Sequence, residues 1–210
     1  QSTVSGNSAT STGGGIWADQ TVTATNSTIT GSAAGSGGGG IVVVNTSATL
    51  VYVTLVGNDA PTGANLALQP GSDDLVSFAS VIAQGGGGGD DCELAVGVTV
   101  ASDGSNATDG PSCARDGGPG DRTDAADPGR GALGDNGGPT PTRLPAAGSP
   151  LIDGAVCADS PVVVVSDQRG VTRPQGGACD VGAVEVAQGA PPPGPPTTVP
   201  AAAVTPTFTG

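Results

Sequence analysis

Residues 2–7 read STVSGN, and this pattern returns twice in the first part of the chain. It recurs as STITGS at residues 27–32, a shift of 25 positions, and as VTLVGN at residues 53–58, a further 26 positions on. A second pattern, GGGI at residues 13–16, recurs unchanged 25 positions later. A repeat of this length is too short for a helix pair or a propeller blade and is typical of one coil of a solenoid.

Weaker copies extend the repeat. GANL at residues 63–66 continues the second pattern, and SVIAQ at residues 80–84 predicts a degenerate fourth coil. Stacked coils place equivalent side chains above one another, so apolar residues at the repeat distance form internal columns. We predict two such columns, one formed by Val4, Ile29 and Leu55 and the other by Ile16, Ile41 and Leu66.

The apolar residues change parity within each repeat. Val22 and Ala24 share one face of a strand, whereas Ile29 falls on the opposite parity. A flat strand keeps its parity, so the switch predicts a corner between two short strands. Gly and Asn at residues 6–7 and 57–58 supply further corners, because left-handed backbone is cheap for them. The sequence therefore predicts an all-β fold, a right-handed parallel β-helix of about 25 residues per coil, with a disordered Gly-rich segment as the alternative.

The composition excludes several classes of protein. Gly contributes 38 and Pro 18 of the 210 residues, and His is absent, which excludes a helical bundle and any His-based acid–base or metal chemistry. Six basic against 19 acidic residues give a net charge of −13, which argues against nucleic acid or an anionic membrane surface as a partner. No apolar run approaches the roughly 20 residues of a membrane span, so we expect no membrane insertion.

The texture of the chain changes after residue 90. We assign residues 1–90 to β-helix coils and residues 91–188 to an irregular, disulfide-containing region followed by a C-terminal cap. A cap is expected because the end of a solenoid exposes an apolar cross-section and unpaired strand groups. Residues 189–210 are rich in Pro and predict an extended tail or linker.

The cysteines indicate an oxidising compartment. Cys92, Cys113, Cys157 and Cys179 are even in number, and three pairings are open to them. Sequential pairing, Cys92 with Cys113 and Cys157 with Cys179, closes two short loops and stabilises each by about 3 kcal/mol on the chain-entropy model. We favour this pairing and an extracellular or cell-surface location, with free buried thiols as the alternative.

Four motifs follow one another in the C-terminal half. They are LGDNGGPTPT at 133–142, GSPLIDGA at 148–155, DQRGVTRP at 167–174 and CDVGAVE at 179–185. Together they resemble the C-terminal region of bacterial right-handed β-helix surface proteins of the choice-of-anchor Q type. The resemblance implies a secreted or surface protein whose β-helix is closed by this module and joined to a variable anchoring tail. That family has no agreed catalytic residues, and residues 127–131 (DPGRG) depart from its more apolar pattern.

Charged residues concentrate in these motifs. We predict that Arg169 and Arg173 pair with carboxylates from the set Asp153, Asp167 and Asp180 and so lock the cap, because a guanidinium binds a carboxylate through two parallel hydrogen bonds. The alternative is that the same charges form a catalytic or sugar-binding cluster.

Catalysis is not expected, although β-helix proteins often act on polysaccharides. The adjacent acids Asp73 with Asp74 and Asp90 with Asp91 offer carboxylates for glycoside hydrolysis. Calcium binding is a separate use of such acids, but neither pair belongs to an ordered series of calcium ligands. Aromatic platforms for sugars are scarce, since the chain has one Trp, one Tyr and two Phe. We predict no cofactor and no metal, and carbohydrate stays a candidate ligand.

The ends of the chain suggest assembly. The repeat already covers residue 2, so we expect an uncapped first coil, whose unpaired backbone groups would bind a strand of another chain. Val199, Val204 and Phe208 are the expected anchors of a tail that adds a strand to a neighbouring copy. Our sequence-based hypothesis is a non-catalytic extracellular structural or cell-surface protein that self-associates or attaches to the cell envelope. The alternative is a polysaccharide-binding or polysaccharide-degrading protein.

Overall fold

The computed structural model describes residues 1–113, 117–123 and 131–187. These residues form a parallel β-solenoid, so the predicted all-β fold of stacked coils is confirmed. Its right-handed sense stays a prediction, which rests on the right-handed crossovers that usually connect parallel strands.

The described residues form thirteen strands and two short 3-10 turns. In chain order the strands are β1 (Thr3–Ser5), β2 (Ser8–Ala9), β3 (Ile16–Ala18), β4 (Val22–Thr30), β5 (Ala33–Ala34), β6 (Ile41–Val43), β7 (Ala48–Val56), β8 (Leu66–Leu68), β9 (Asp74–Phe78), β10 (Val81–Ala83), β11 (Cys92–Leu94), β12 (Thr99–Gly104) and β13 (Ala107–Thr108). The turns span Pro111–Cys113 and Cys157–Asp159.

Each strand pairs in parallel with its equivalent in the next coil. The long sheet has the order β1-β4-β7-β10-β13, with β9 and β12 added beside the first half of β7. A second sheet has the order β11-β8-β6-β3, and β2 pairs with β5 in a third. The register joins Val4 to Ile29 and Ile29 to Leu55. It also joins Ile16 to Ile41 and Ile41 to Leu66, so both predicted columns are confirmed.

The change of parity has a visible backbone cause. Asn26, Tyr52, Ala79 and Ser105 adopt left-handed backbone, with φ between 44° and 58°, at equivalent points of successive coils. One left-handed residue turns the strand through a corner and moves the inward side chains to the other parity. A second column of corners contains Gly6, Gly31 and Gly57, with φ of 65° to 67°, where a residue without Cβ avoids a steric penalty.

The solenoid continues beyond the predicted boundary at residue 90. β11, β12 and β13 pair with β8, β9 and β10, so the assignment of residues 91–108 to an irregular region is wrong. Polar residues and glycines are interspersed with the apolar ones in this part of the sequence, because only alternate side chains point inward. Cys92, Val98 and Val100 suffice to continue the buried core.

The C-terminal end of the solenoid is closed by the residues that follow β13. Cys113, at the end of the 3-10 turn, packs into the interior cluster. Arg122 forms a parallel bridge with Ala107, and the backbone amide of Ser105 donates to the carbonyl of Pro119. A disulfide-linked closure therefore exists, but it is built from residues before 124.

The four C-terminal motifs lie elsewhere. Residues 131–187, here called the flank module, cover the side of the long sheet rather than the end of the solenoid. A second buried cluster joins Tyr52, Val81 and Ala107 of the sheet to Leu151 and Val181 of the module. The module therefore covers the apolar outer face of the sheet, a contact that the prediction of a cap on the solenoid end did not include.

Candidate functional site

The flank module binds a column of outward-facing residues on the long sheet, here called the docking column. Its members are consecutive register partners: Thr3, Thr28, Thr54, Val81 and Ala107. Thr28 is fully buried and Thr54 nearly so, although both are polar and both point away from the interior. The module therefore supplies partners for a column that would otherwise face water.

Gln168 is the central anchor of this contact. Its side chain is fully buried, and its Oε1 accepts a hydrogen bond of 2.7 Å from the hydroxyl of Thr28. Its Nε2 donates to the hydroxyl of Thr3 at 2.8 Å and to that of Thr140 at 2.9 Å. One amide thus joins two coils to the module, and each of its polar atoms is satisfied.

Further contacts run along the column. Thr54 Oγ1 accepts a hydrogen bond of 3.0 Å from the amide of Ala183, and the amide of Gly182 donates to the carbonyl of Ala79 at 2.8 Å. Arg143 Nη1 donates to the hydroxyl of Thr30 at 2.6 Å. Sequence reasoning missed these anchors, although Thr recurring at the same repeat position was a signal for them.

One predicted ion pair of the lock is present. Arg169 binds Asp167 through Nε and Nη2, at 3.0 and 2.9 Å from Oδ2. Asp167 also accepts the backbone amides of Arg169 and Val171, and Arg169 Nη1 donates to the carbonyl of Asn136. This pair therefore closes a tight turn and ties it to the first motif of the module.

Arg173 has a different partner from the three that were predicted. Its Nη1 lies 2.7 Å from Oε2 of Glu185, and both side chains are fully buried. The same guanidinium donates to the carbonyls of Asp180 and Gly182 and lies 4.1 Å from the centre of the Tyr52 ring. The longer Glu side chain reaches this buried position, while backbone amides occupy the carboxylate of Asp180.

The carboxylates of Asp153 and Asp180 both accept hydrogen bonds from backbone amides. Asp180 accepts the amides of Asp153 at 2.7 Å and Val186 at 2.6 Å, and Asp153 accepts the amide of Ala178 at 3.0 Å. Burial raises the pKa of Asp180 to about 6, and nearby Glu185 adds to the rise against the opposing effect of the amide donors. The lock is thus a network of carboxylates that hold loops together.

Both disulfides follow the sequential pairing. Cys92 is bonded to Cys113 and Cys157 to Cys179, which leaves no free cysteine. The first bond lies at the end of the solenoid core, and Cys179 of the second lies in the cluster between module and sheet. Each bond therefore stabilises a different interface.

Of the acidic residues considered for catalysis, Asp91 interacts with a residue that was not considered there, Asp109. Burial raises the pKa of Asp91 to about 7, and Asp109, the residue after β13, adds to the rise through a side-chain hydrogen bond and through its charge. Glycosidases separate their carboxyl groups by roughly 5 Å or more, whereas groups in hydrogen-bond contact are positioned to share a proton.

An open groove of about 580 Å³ lies beside this pair. Its walls include Pro61, Thr62, Asp90 and Glu93, and Thr62 donates a hydrogen bond of 2.8 Å to Glu93. Tyr52 and Phe78 are buried against each other and so offer no platform to a sugar. Trp17, 53% exposed, is the aromatic side chain that the described residues present to solvent.

Within residues 1–113, 117–123 and 131–187 no group of three or more His, Cys, Asp or Glu side chains is arranged to hold a metal ion. Over the same ranges no helix has the length and apolar character needed to cross a bilayer. Val199, Val204 and Phe208, the predicted assembly anchors, lie outside the described residues.

Comparisons with protein-family models, curated proteins and solved structures find no match to this chain.

Proposed function

We propose that this protein is a non-catalytic extracellular structural element, a laterally braced β-solenoid that serves at a cell surface. The observation that supports the proposal is the way in which the flank module bonds to successive coils through Thr3, Thr28 and Thr54. In an unbraced solenoid each coil contacts only its neighbours, so coils can open one at a time. A brace across several coils couples them and gives a stiff unit.

The two disulfides support an extracellular setting, because both require an oxidising environment to form and persist. End-to-end assembly of copies belongs to the same proposal and is tested together with it.

Immunogold electron microscopy of the source cells tests this proposal. We expect antibody against the folded chain to label the exterior of intact cells, with label along fibres if copies assemble. Label confined to the cell interior, or thiols that react fully in freshly isolated native protein, would overturn it.

A second candidate function is carbohydrate binding, favoured by the polar groove lined by Thr62, Asp90 and Glu93. Its test is calorimetric titration of the purified protein with a panel of neutral and acidic polysaccharides, together with an assay for released reducing ends. Saturable binding that is lost in E93Q would favour this candidate, and release of reducing ends would contradict the non-catalytic proposal.

A further inference from the structure

Two consecutive backbone amides at the end of β10 are held by two different aspartates. The amide of Gln84 donates to Oδ2 of Asp109 at 2.8 Å, and the amide of Gly85 donates to Oδ1 of Asp91 at 2.6 Å. Neighbouring amides of one chain lie only a few ångströms apart. Their carboxylate partners are therefore brought together, although they come from residues 18 positions apart in sequence.

The two carboxyl groups meet in an acidic environment. Held on adjacent amides, the two carboxyl groups lie close enough for Asp109 to raise the pKa of Asp91 through a side-chain hydrogen bond and through its charge, and a hydrogen bond between two carboxyl groups requires a proton on one of them. The titratable groups nearby are also acids: Asp59 approaches Gly86 and Gly87, and Asp90 and Glu93 flank Asp91 in sequence. Double ionisation would place two adjacent negative charges in this surrounding.

A chain of amides connects the pair to the interior of the solenoid. Asn65 donates from Nδ2 to Oδ1 of Asp91 and to the carbonyl of Ala83. Asn65 Oδ1 in turn accepts a hydrogen bond of 2.9 Å from the fully buried Asn58. The position of Asp91 is therefore fixed from the inside, so it cannot swing away from Asp109 without breaking buried hydrogen bonds.

We propose that Asp91 and Asp109 share one proton and act as a pH-sensitive clasp on the C-terminal end of the solenoid. The clasp holds three segments together: the end of β10, the start of β11 and the residue after β13. The glycine run at 85–89 and the bond from Cys92 to Cys113 lie directly beside it. Loss of the proton loosens this end and the adjoining groove.

The sign of the effect follows from linkage. The pKa of Asp91 is raised from 3.8 to about 7, so between these values the folded protein holds a proton that the unfolded chain has released. Stability falls with rising pH wherever the folded state binds more protons. The clasp is therefore closed in mild acid and weakened above neutral pH, independently of whether the protein has a structural function.

The test is urea unfolding of the purified full chain at pH 5 and pH 8. Wild type should have the lower unfolding midpoint at pH 8. In D109N the side-chain amide can donate to an ionised Asp91, so the difference between the two midpoints should shrink. Burial of Asp91 itself, and Asp180, whose pKa is also raised, account for the part that remains.

D74N is the matched control, since it removes one negative charge from an exposed aspartate on β9 and should keep the full wild-type difference. Carbon-13 titration of Asp carboxyl groups in wild type gives a reading that does not depend on a variant. One carboxyl of the pair should titrate near neutral pH. The proposal is overturned if wild type is equally stable at both pH values, if D109N keeps the whole difference, or if neither carboxyl of the Asp91–Asp109 pair titrates above pH 5.

Discussion

At the scale of single residues, Arg173 and Glu185 form the most demanding interaction of the molecule. Both side chains are fully buried, so their charges have lost their hydration. Burial lowers the pKa of Arg173, while the charge of Glu185 opposes this change. The carbonyls of Asp180 and Gly182 and the face of Tyr52 also contact the guanidinium, whereas its Nε has no hydrogen-bond partner among the described residues. A pair of this kind defines one geometry, because any displacement leaves an unsatisfied charge.

R173A should destabilise the protein by about 3–5 kcal/mol, since it leaves the Glu185 carboxylate buried without its partner. R169A should cost less, about 1.5–3 kcal/mol, because its guanidinium is 13% exposed and water can replace it. The measurement is urea unfolding of each variant. The double variant R173M/E185Q removes both charges and should recover part of the loss; a double variant less stable than R173A would contradict this account.

At the scale of elements, β7 shows how the module is held. Eight of its nine residues are buried, since the inward side chains enter the solenoid core and the outward ones meet the flank module. Its sequence, ATLVYVTLV, lacks the alternation of a strand with one wet face. A continuous apolar run is typical of a strand covered on both faces, so it was a usable signal for a second cover.

At Gly182 the module approaches β7 closely. A Cβ at this position would lie 2.7 Å from Thr54 Oγ1 and 3.3 Å from Val81 Cγ2, and φ is +95°. G182A should therefore cost about 2–4 kcal/mol through overpacking and backbone strain. G177A is the matched control in the same module, where a Cβ meets no atom within 4 Å, and it should change stability by less than about 0.5 kcal/mol. Thermal unfolding measures both, and equal losses would refute the close contact.

At the scale of the whole molecule, two non-local devices make the stack of coils one cooperative unit. The flank module reaches from Thr3 in the first coil to Val81 in the fourth. The disulfide between Cys92 and Cys113 closes the far end, and the one between Cys157 and Cys179 holds the module in shape. Opening one coil therefore disturbs contacts made by several others.

Removal of either disulfide should lower stability by about 3 kcal/mol, because the loops of 21 and 22 residues lose nearly the same closure entropy. The variants are C92S/C113S and C157S/C179S, followed by circular dichroism and by Trp17 fluorescence during urea unfolding. The two probes should report one transition in wild type. Separate transitions would show that the module does not couple the coils.

The periodic part of the structure was predictable from the sequence by itself. Strand register in a solenoid joins residues one coil apart, so the recurrence of Val4, Ile29 and Leu55 carries the pairing directly. The corner after Ala24 was also predictable from the sequence, since a change of parity requires a residue with left-handed backbone. Asn26 is that residue. The C-terminal end of the coils was not predictable from the sequence, because one inward Val or Cys in every two residues is too sparse a signal of a buried strand.

Only the tertiary structure decided where the non-repetitive residues lie. Thr28 meets Gln168 across 140 positions and Thr30 meets Arg143 across 113, and no periodicity links such pairs. Three further features belong to this class: the position of the module, the ion pair of Arg173 with Glu185 and the contact of Asp91 with Asp109. A repeat encodes contacts with its own next copy, whereas a contact between unlike segments depends on which surfaces remain uncovered after the coils have stacked.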